Sequence, residues 1–291
     1  MLHFILQHGY GKIFKIIRES KNMSLKEVAG DFVTPAQLSR FENGKSNLSV
    51  DTFFNCLKNM DVLQGEFSTF YHSYFQNEDI RLSKEFYQAI ENNNVGYLKR
   101  AIAEYRQRYD KNKRQSDRVL ISVLCVKLSE CSPHELLPKE ERQIIADYLM
   151  SIDEWCLYEV WIFTNCSRAL SSKMIELLGG EVIHRTKFYI GIEENRRRVS
   201  RLLLNITGEI LDRGEERIAA KFIRYLDQLY IRETDMFERL QLKFIKAQFS
   251  YLCGNGKGLE DMKECQRIAN FLDCYDLSQQ IEDTFAQFTD M

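Results

Sequence analysis

At 291 residues, 44% of them hydrophobic, the chain is long enough for about two domains with sizeable cores. Three prolines and 14 glycines are too few for the frequent breakers that an all-β fold or long loops require, so the sequence reads as all-α. A formal net charge of -2 excludes a molecule that binds nucleic acid through bulk electrostatics, and charge has to be judged by region. Residues 1–62 carry eight Lys/Arg against six Asp/Glu (+2), which leaves 32 against 36 (-4) for the remainder. That polarity has the sign of a nucleic-acid-facing amino end.

The start, MLHFILQHGYGK, holds a brief apolar run without the basic flank, full-length apolar stretch or small-residue cleavage site of a secretory signal. No window approaches the roughly 18 apolar residues of a membrane span. The eight cysteines (56, 125, 131, 156, 166, 253, 265 and 274) include no C-x-x-C pair and no histidine at zinc-finger spacing. They read as reduced core cysteines of a cytoplasmic protein, with no metal or cofactor expected.

The first 60 residues divide into short capped helices. Ile13, Phe14, Ile16 and Ile17 recur at helical spacing before SKNMS, and Ser24-Leu25-Lys26-Glu27 forms a capping box with Val28 and Ala29 turned inward. After GDFV, the stretch TPAQLSRFENGK opens with Thr34 as cap, Pro35 at the first helical position and Gln37 three residues after the cap. Asn43-Gly44 stops it, so the helix has under three turns and mostly polar side chains. A fourth helix runs from about Val50 to Asn59 with Phe53, Phe54 and Leu57 on one side.

GKIFKIIRESKNMSLKEVA followed by TPAQLSRFENGKSNLSVDTF resembles the helix-turn-helix domain of the XRE (Cro/CI-like) class over about 50 residues. The likeness includes Arg18-Glu19 closing helix one, Ser24-x-x-Glu27-x-Ala29 in helix two and Glu42-x-Gly44 closing helix three. It implies a five-helix-type DNA-binding domain over residues 1–65. A recognition helix can be short, because only its first two turns enter a major groove, and it must offer polar groups to base edges. Gln37 and Arg40, one turn apart on the exposed side, are expected to read bases, Gln suiting adenine and Arg guanine. Pro35, Ala36 and Ser39 fall near thymine methyls or the backbone, and Lys26, Lys45 and Asn47 suit phosphates. The plain alternatives are a solvated polar face, or an Arg40 engaged by Glu42 or another acid.

Beyond Gly65, apolar-periodic helices are expected at about 67–76, 81–91, 94–110, 117–130, 138–150, 153–165, 171–188, 193–213, 215–230, 236–253, 257–272 and 276–288. A weak repeat superposes 210–226 on 252–268 at a shift of 42, Gly214 on Gly256. That period exceeds the usual tetratricopeptide length of about 34, so residues 66–291 read as a TPR-like superhelix whose concave face suits an extended peptide or protein segment.

An XRE domain followed by such an array resembles the Rgg family (Rgg/GadR/MutR type) of peptide-responsive regulators from Gram-positive bacteria. SRFENGKS, WCLYEVWIFTN (155–165) and GLEDMKECQRIANFLDCYDL (258–277) carry the likeness. It implies a homodimeric transcription factor that binds operator DNA and senses a short imported signalling peptide, as in quorum sensing. On 153–165, Cys156, Leu157, Val160 and Phe163 form one stripe, and Glu154, Tyr158, Trp161, Asn165 and, beyond the helix, Arg168 the next. On 193–213, Val199, Leu202, Leu203, Ile206 and Ile210 form the core stripe beside Arg198, Arg201, Asn205 and Asp212. Asn165 and Asn205 lie 40 residues apart, close to one repeat, and an amide ladder can serve a peptide backbone as donor and acceptor. Related peptide sensors use inner-face asparagines in this way. The expected peptide site is therefore Tyr158, Trp161, Asn165, Arg168, Arg198, Arg201 and Asn205, the arginines favouring a carboxylate. Equally open is that Asn165 ends its helix, Asn205 bonds within the stack and the arginines are solvated.

Enzymatic chemistry is not expected. Histidines 3, 8, 72, 134 and 184 are isolated, and there is no H-E-x-x-H, G-x-S-x-G or phosphate loop; GNGKG at 254–258 reads as a turn between helices. The competing function is an interaction protein, such as an antitoxin or inhibitor, that uses the array without DNA.

Overall fold

The computed structural model describes residues 9–74, 78–132, 134–186 and 191–289; all regular structure among them is helical. Local chemistry sets the first helices: α1 (Gly9–Ser20), α2 (Leu25–Ala29), α3 (Pro35–Glu42) and α4 (Val50–Asn59). Ser24 Oγ accepts from Glu27 N at 3.2 Å while the Glu27 carboxylate accepts from Ser24 N at 2.7 Å, which holds the Glu27 carboxyl below its usual range. The same reciprocal box opens α3, where Gln37 N donates to Thr34 Oγ1 at 3.2 Å and Thr34 N to Gln37 Oε1 at 3.3 Å. Gly44, at φ 68°, ends it in the left-handed region.

These helices close on Phe14, Ile17, Val28, Leu38, Phe41 and Leu57. Gly11 makes α1 fit α3, since a Cβ there would stand 2.0 Å from the Phe41 carbonyl oxygen. Phe54, 40% exposed, points away from this core although Phe53 and Leu57 pack on it, being about 100° round the helix from Phe53. Phe67 and Tyr71 of α5 (Gln64–Tyr74) belong to the same cluster. The first compact unit therefore extends through α6 (Glu78–Glu91) to Glu91. The sequence pattern changes near residue 65 because the helices lengthen there, but the packing does not change with it.

The second unit, Asn92–Met291, contains α7 (Val95–Asn112), α8 (Gln115–Cys131), α9 (Lys139–Ser151), α10 (Leu157–Cys166) and α11 (Ser172–Arg185). It continues with α12 (Glu193–Asp212), α13 (Glu216–Gln228), α14 (Met236–Leu252), α15 (Lys257–Phe271) and α16 (Tyr275–Thr289). Helices α8, α10, α12 and α14 touch in succession, and so do α9, α11 and α13, giving the two layers of a TPR-like array. Val199, Leu202, Leu203, Ile206 and Ile210 are buried as the α12 pattern requires.

The start of α10 and the repeat register also depart from expectation. Helix α10 starts at Leu157, not 153, because Trp155 turns into the core: it is fully buried, with its N–H on the Arg185 carbonyl at 2.7 Å and its indole N–H on the Leu149 carbonyl at 3.3 Å. Glu154 thus precedes the helix, and Cys156 and Leu157 are exposed while Val160, Ile162, Phe163 and Cys166 are buried. The repeat register is 40, not 42. Gly214 N–H bonds Leu211 O and Glu215 N–H bonds Ile210 O; Gly254 and Asn255 repeat this with Tyr251 and Ser250. Gly214 (φ 71°) therefore matches Gly254 (φ 86°), whereas Gly256 caps α15 at φ -56°.

All eight cysteines are free; Cys56, Cys125, Cys166 and Cys265 are buried, Cys131 and Cys274 partly so, but Cys156 and Cys253 are exposed rather than in the core. Burial pushes the Cys166 thiol up to about 12. Among the described residues no helix is long and apolar enough to cross a membrane.

Candidate functional site

In the first unit the site is the outer face of α3. Leu38 and Phe41 anchor it to the core, and Pro35, Ala36, Gln37 and Arg40 are exposed, with Ser39 half-buried. Lys26, Lys45 and Asn47 are exposed on the flanking segments. Arg40 has no ion pair or side-chain hydrogen bond among the described residues, and Glu42, two residues on, faces the other way. Glu42 is buried and takes Arg18 in a fork, Nε to Oε1 at 2.6 Å and Nη2 to Oε2 at 2.8 Å. Hydrogen bonding to Glu42 raises the Arg18 pKa further, against desolvation. The Arg18-Glu42 fork ties α1 to the end of α3, and Arg40 stands as a free donor set. Gln37 differs: its carbonyl oxygen serves the cap and its amide N–H groups point to no described acceptor.

In the second unit, one polar groove of about 460 Å³ is lined by the succession of helices α8, α10, α12, α14 and α16. Helix α8 contributes Lys127 and Glu130, α10 contributes Thr164 and Asn165, and the turn after it Ser167 and Arg168. From α12 come Asn205, Gly208, Glu209 and Asp212, from α14 Gln241 and Gln248, and from α16 Gln280, Asp283, Thr284 and Gln287. The cradle is built from side chains spaced about one turn apart on neighbouring helices.

Of the seven residues expected in a peptide site, Asn165, Arg168 and Asn205 line this groove. Asn165 donates to the Trp161 carbonyl at 2.9 Å, and Asn205 accepts from Gln241 at 3.4 Å. Arg168 Nε is 3.2 Å from Glu209 Oε2. Tyr158 and Trp161 stack on each other at 6.1 Å but are not groove lining. Arg198 and Arg201 also lie outside it, exposed. Arg201 Nε is 2.6 Å from Glu238 Oε1, an oxygen shared with Arg197 at 2.8 Å. Burial pushes the Glu238 carboxyl up, yet the bonds from Arg197 and Arg201 outweigh it and leave the group below its usual range. These arginines therefore brace α12 against α14.

Sequence reasoning passed over Gln241 and Gln248, both buried and both facing the groove. The signal was present: two glutamines seven residues apart, on the same side of α14 as Phe244 and Ile245.

Residues 99–283 match the family described as HTH-type transcriptional regulator Rgg, C-terminal domain, and residues 14–62 match the helix-turn-helix family. The chain superposes on the SHP pheromone receptor Rgg2 of Streptococcus dysgalactiae with a TM-score of 0.83 at 21% identity, over 95% of this chain and 99% of that one. Against the PrgX/cCF10 complex the TM-score is 0.71 at 12% identity, over 97% and 93%. Against ComR from S. thermophilus, in complex with DNA and its signalling peptide ComS, it is 0.55 at 16% identity, over 94% and 97%. At those identities the structures share the fold. The family match spans more than half of the sequence, and the chain belongs to the Rgg family of HTH-type transcriptional regulators.

Proposed function

We propose that this protein is a cytoplasmic, homodimeric transcriptional regulator that binds operator DNA through α3 and is switched by a short signalling peptide held in the groove of its repeat unit. DNA reading then falls to residues 1–65 of the first unit, and sensing and dimerisation to the second, from Asn92 on. The observation that carries the reading is Arg40: a guanidinium on the exposed side of a short capped helix, with no protein partner among the described residues, while Glu42 faces inward to Arg18. Five donors in a rigid fork, one turn from the Gln37 amide, suit base edges in a major groove. The folds of ComR, solved with DNA and signalling peptide, and of PrgX, solved with cCF10, support the same division of labour.

A gel shift on DNA flanking the gene, at several salt concentrations, tests it. Wild type is expected to retard a specific fragment, and Arg40→Ala to relax that selectivity while keeping its melting temperature. Absence of any specific shift at low salt overturns the DNA-binding reading. Dimerisation is checked by sedimentation: two copies of α3 have to sit about 34 Å apart, or a small multiple of that, to read two half-sites. A chain that sediments as a monomer both free and on DNA rules the dimer out.

A further inference from the structure

The groove is not electrically even. Its two cations are engaged, Lys127 Nζ by Glu130 at 2.8 Å and Arg168 Nε by Glu209 at 3.2 Å. Two carboxylates facing the same space, Asp212 at the end of α12 and Asp283 on α16, have no cation within ion-pair distance among the described residues. Asp212 is also held in place. Gln248 donates its amide N–H to Asp212 Oδ1 at 3.2 Å, and Gln248 is only 4% exposed, on the neighbouring helix α14. A carboxylate fixed by a buried amide, where α12, α14 and α16 face one concavity, is a preorganised acceptor, and its other oxygen takes no hydrogen bond from the described residues. Packing on the groove wall pushes its carboxyl up, with the Gln248 bond opposing, while Asp212 itself stays exposed and reachable from solvent.

We propose that the groove selects a positively charged peptide and seats an ammonium or guanidinium group against Asp212. The inference rests on the groove being a peptide site and adds the charge class of its ligand. A cationic group gains a charge-assisted hydrogen bond at Asp212 and offsets Asp283 as well. An acidic ligand is repelled by both, although solvent reaches both carboxylates and screens part of the repulsion. The cation can come from a peptide amino terminus or from a Lys or Arg side chain.

Pools of synthetic heptapeptides with random flanks and a fixed central Lys or Glu, each with a free or acetylated amino terminus, separate these sources. Each pool is passed over immobilised full-length protein, and retained peptides are quantified by mass spectrometry. Wild type is expected to retain Lys-centred or free-amino peptides over acetylated Glu-centred ones by about ten-fold or more. In Asp212→Asn, which keeps an oxygen for Gln248 and is expected to melt as wild type does, the preference falls to near unity. Preference for free over acetylated termini assigns the charge to the terminus; preference for Lys irrespective of acetylation assigns it to the side chain. Retention without charge preference, or a preference that survives in Asp212→Asn, overturns the inference while leaving the peptide site standing. Retention of no pool at all ends both.

Discussion

The outer face of α3 and the groove of the repeat unit are both polar, but their hydrogen bonds are disposed in opposite ways. Around α3 the bonds are spent behind the face: Arg18 takes Glu42, Thr34 and Gln37 close the cap, and Arg40 is left over. In the groove they are spent across the face, Gln241 on Asn205, Gln248 on Asp212 and Arg168 on Glu209. A face of the first kind meets its ligand with donors that only water holds, so a new bond there breaks none within the protein. A groove of the second kind must exchange internal bonds for ligand bonds, so each is worth its small net value, about 0.5–1.5 kcal/mol. Affinity in the groove has to accumulate over many residues, whereas on α3 one or two can dominate.

The comparison breaks most readily at its support. Glu42→Ala removes the two-point partner of the buried Arg18 guanidinium, leaving it only Glu19 at 3.4 Å and the Met23 carbonyl at 2.8 Å, and is expected to destabilise the first unit by about 3 kcal/mol, the low end for a broken buried pair. Much of that is the penalty of a buried charge left with weaker partners, so Arg18→Met/Glu42→Leu together is expected to recover a large part of it. A thermal melt of the three proteins checks this. Equal melting temperatures for Glu42→Ala and wild type show that the fork is not what holds α3 on α1.

A next, smaller effect separates the two kinds of contact on DNA. Arg40→Ala is expected to cost about 1–3 kcal/mol on the preferred fragment and to relax selection at one position per half-site, with the melting temperature unmoved. Lys45→Ala weakens all fragments alike and reduces the salt slope by about one. The order of the two losses, and which of them changes selectivity, is read from competition gel shifts. An Arg40→Ala protein as selective as wild type removes Arg40 from base reading.

Much of the fold was legible because its cues are local. The Ser24 and Thr34 caps, Pro35 and Gly44 place α2 and α3 without reference to anything distant. The long helices follow from apolar spacing alone. What escaped depends on contacts remote in sequence. Trp155 shortens α10 by bonding Arg185, thirty residues on, and Phe67 and Tyr71 extend the first unit by joining a core begun at Ile13. In the groove, Asn165, Arg168 and Asn205 were visible as polar positions beside a core stripe. Gln241 and Gln248 were not, since a glutamine among apolar residues gives no sign of which surface it faces until the helices are stacked. Arg201 misled for the same reason, because its partner Glu238 is 37 residues away.

The smallest effects belong to the groove asparagines, and they are expected to differ from each other. Asn165 spends an amide N–H on the carbonyl of Trp161, which the helix already satisfies, so a ligand that captures the amide strands nothing. Asn205 accepts from Gln241 through its oxygen, and its amide N–H groups have no described partner, which leaves a donor idle as on α3. Asn205→Ala is therefore expected to weaken retention of the best-held heptapeptide by more than Asn165→Ala, each within about 0.5–1.5 kcal/mol. It also orphans the Gln241 amide, only 9% exposed, and is expected to lower the melting temperature slightly, which Asn165→Ala does not. Titration of that peptide into both variants, alongside thermal melts, gives four numbers that separate the roles. Lower melting temperatures with unchanged affinity make the asparagines braces of the stack. Equal losses of affinity erase the contrast between a donor already spent and one still idle.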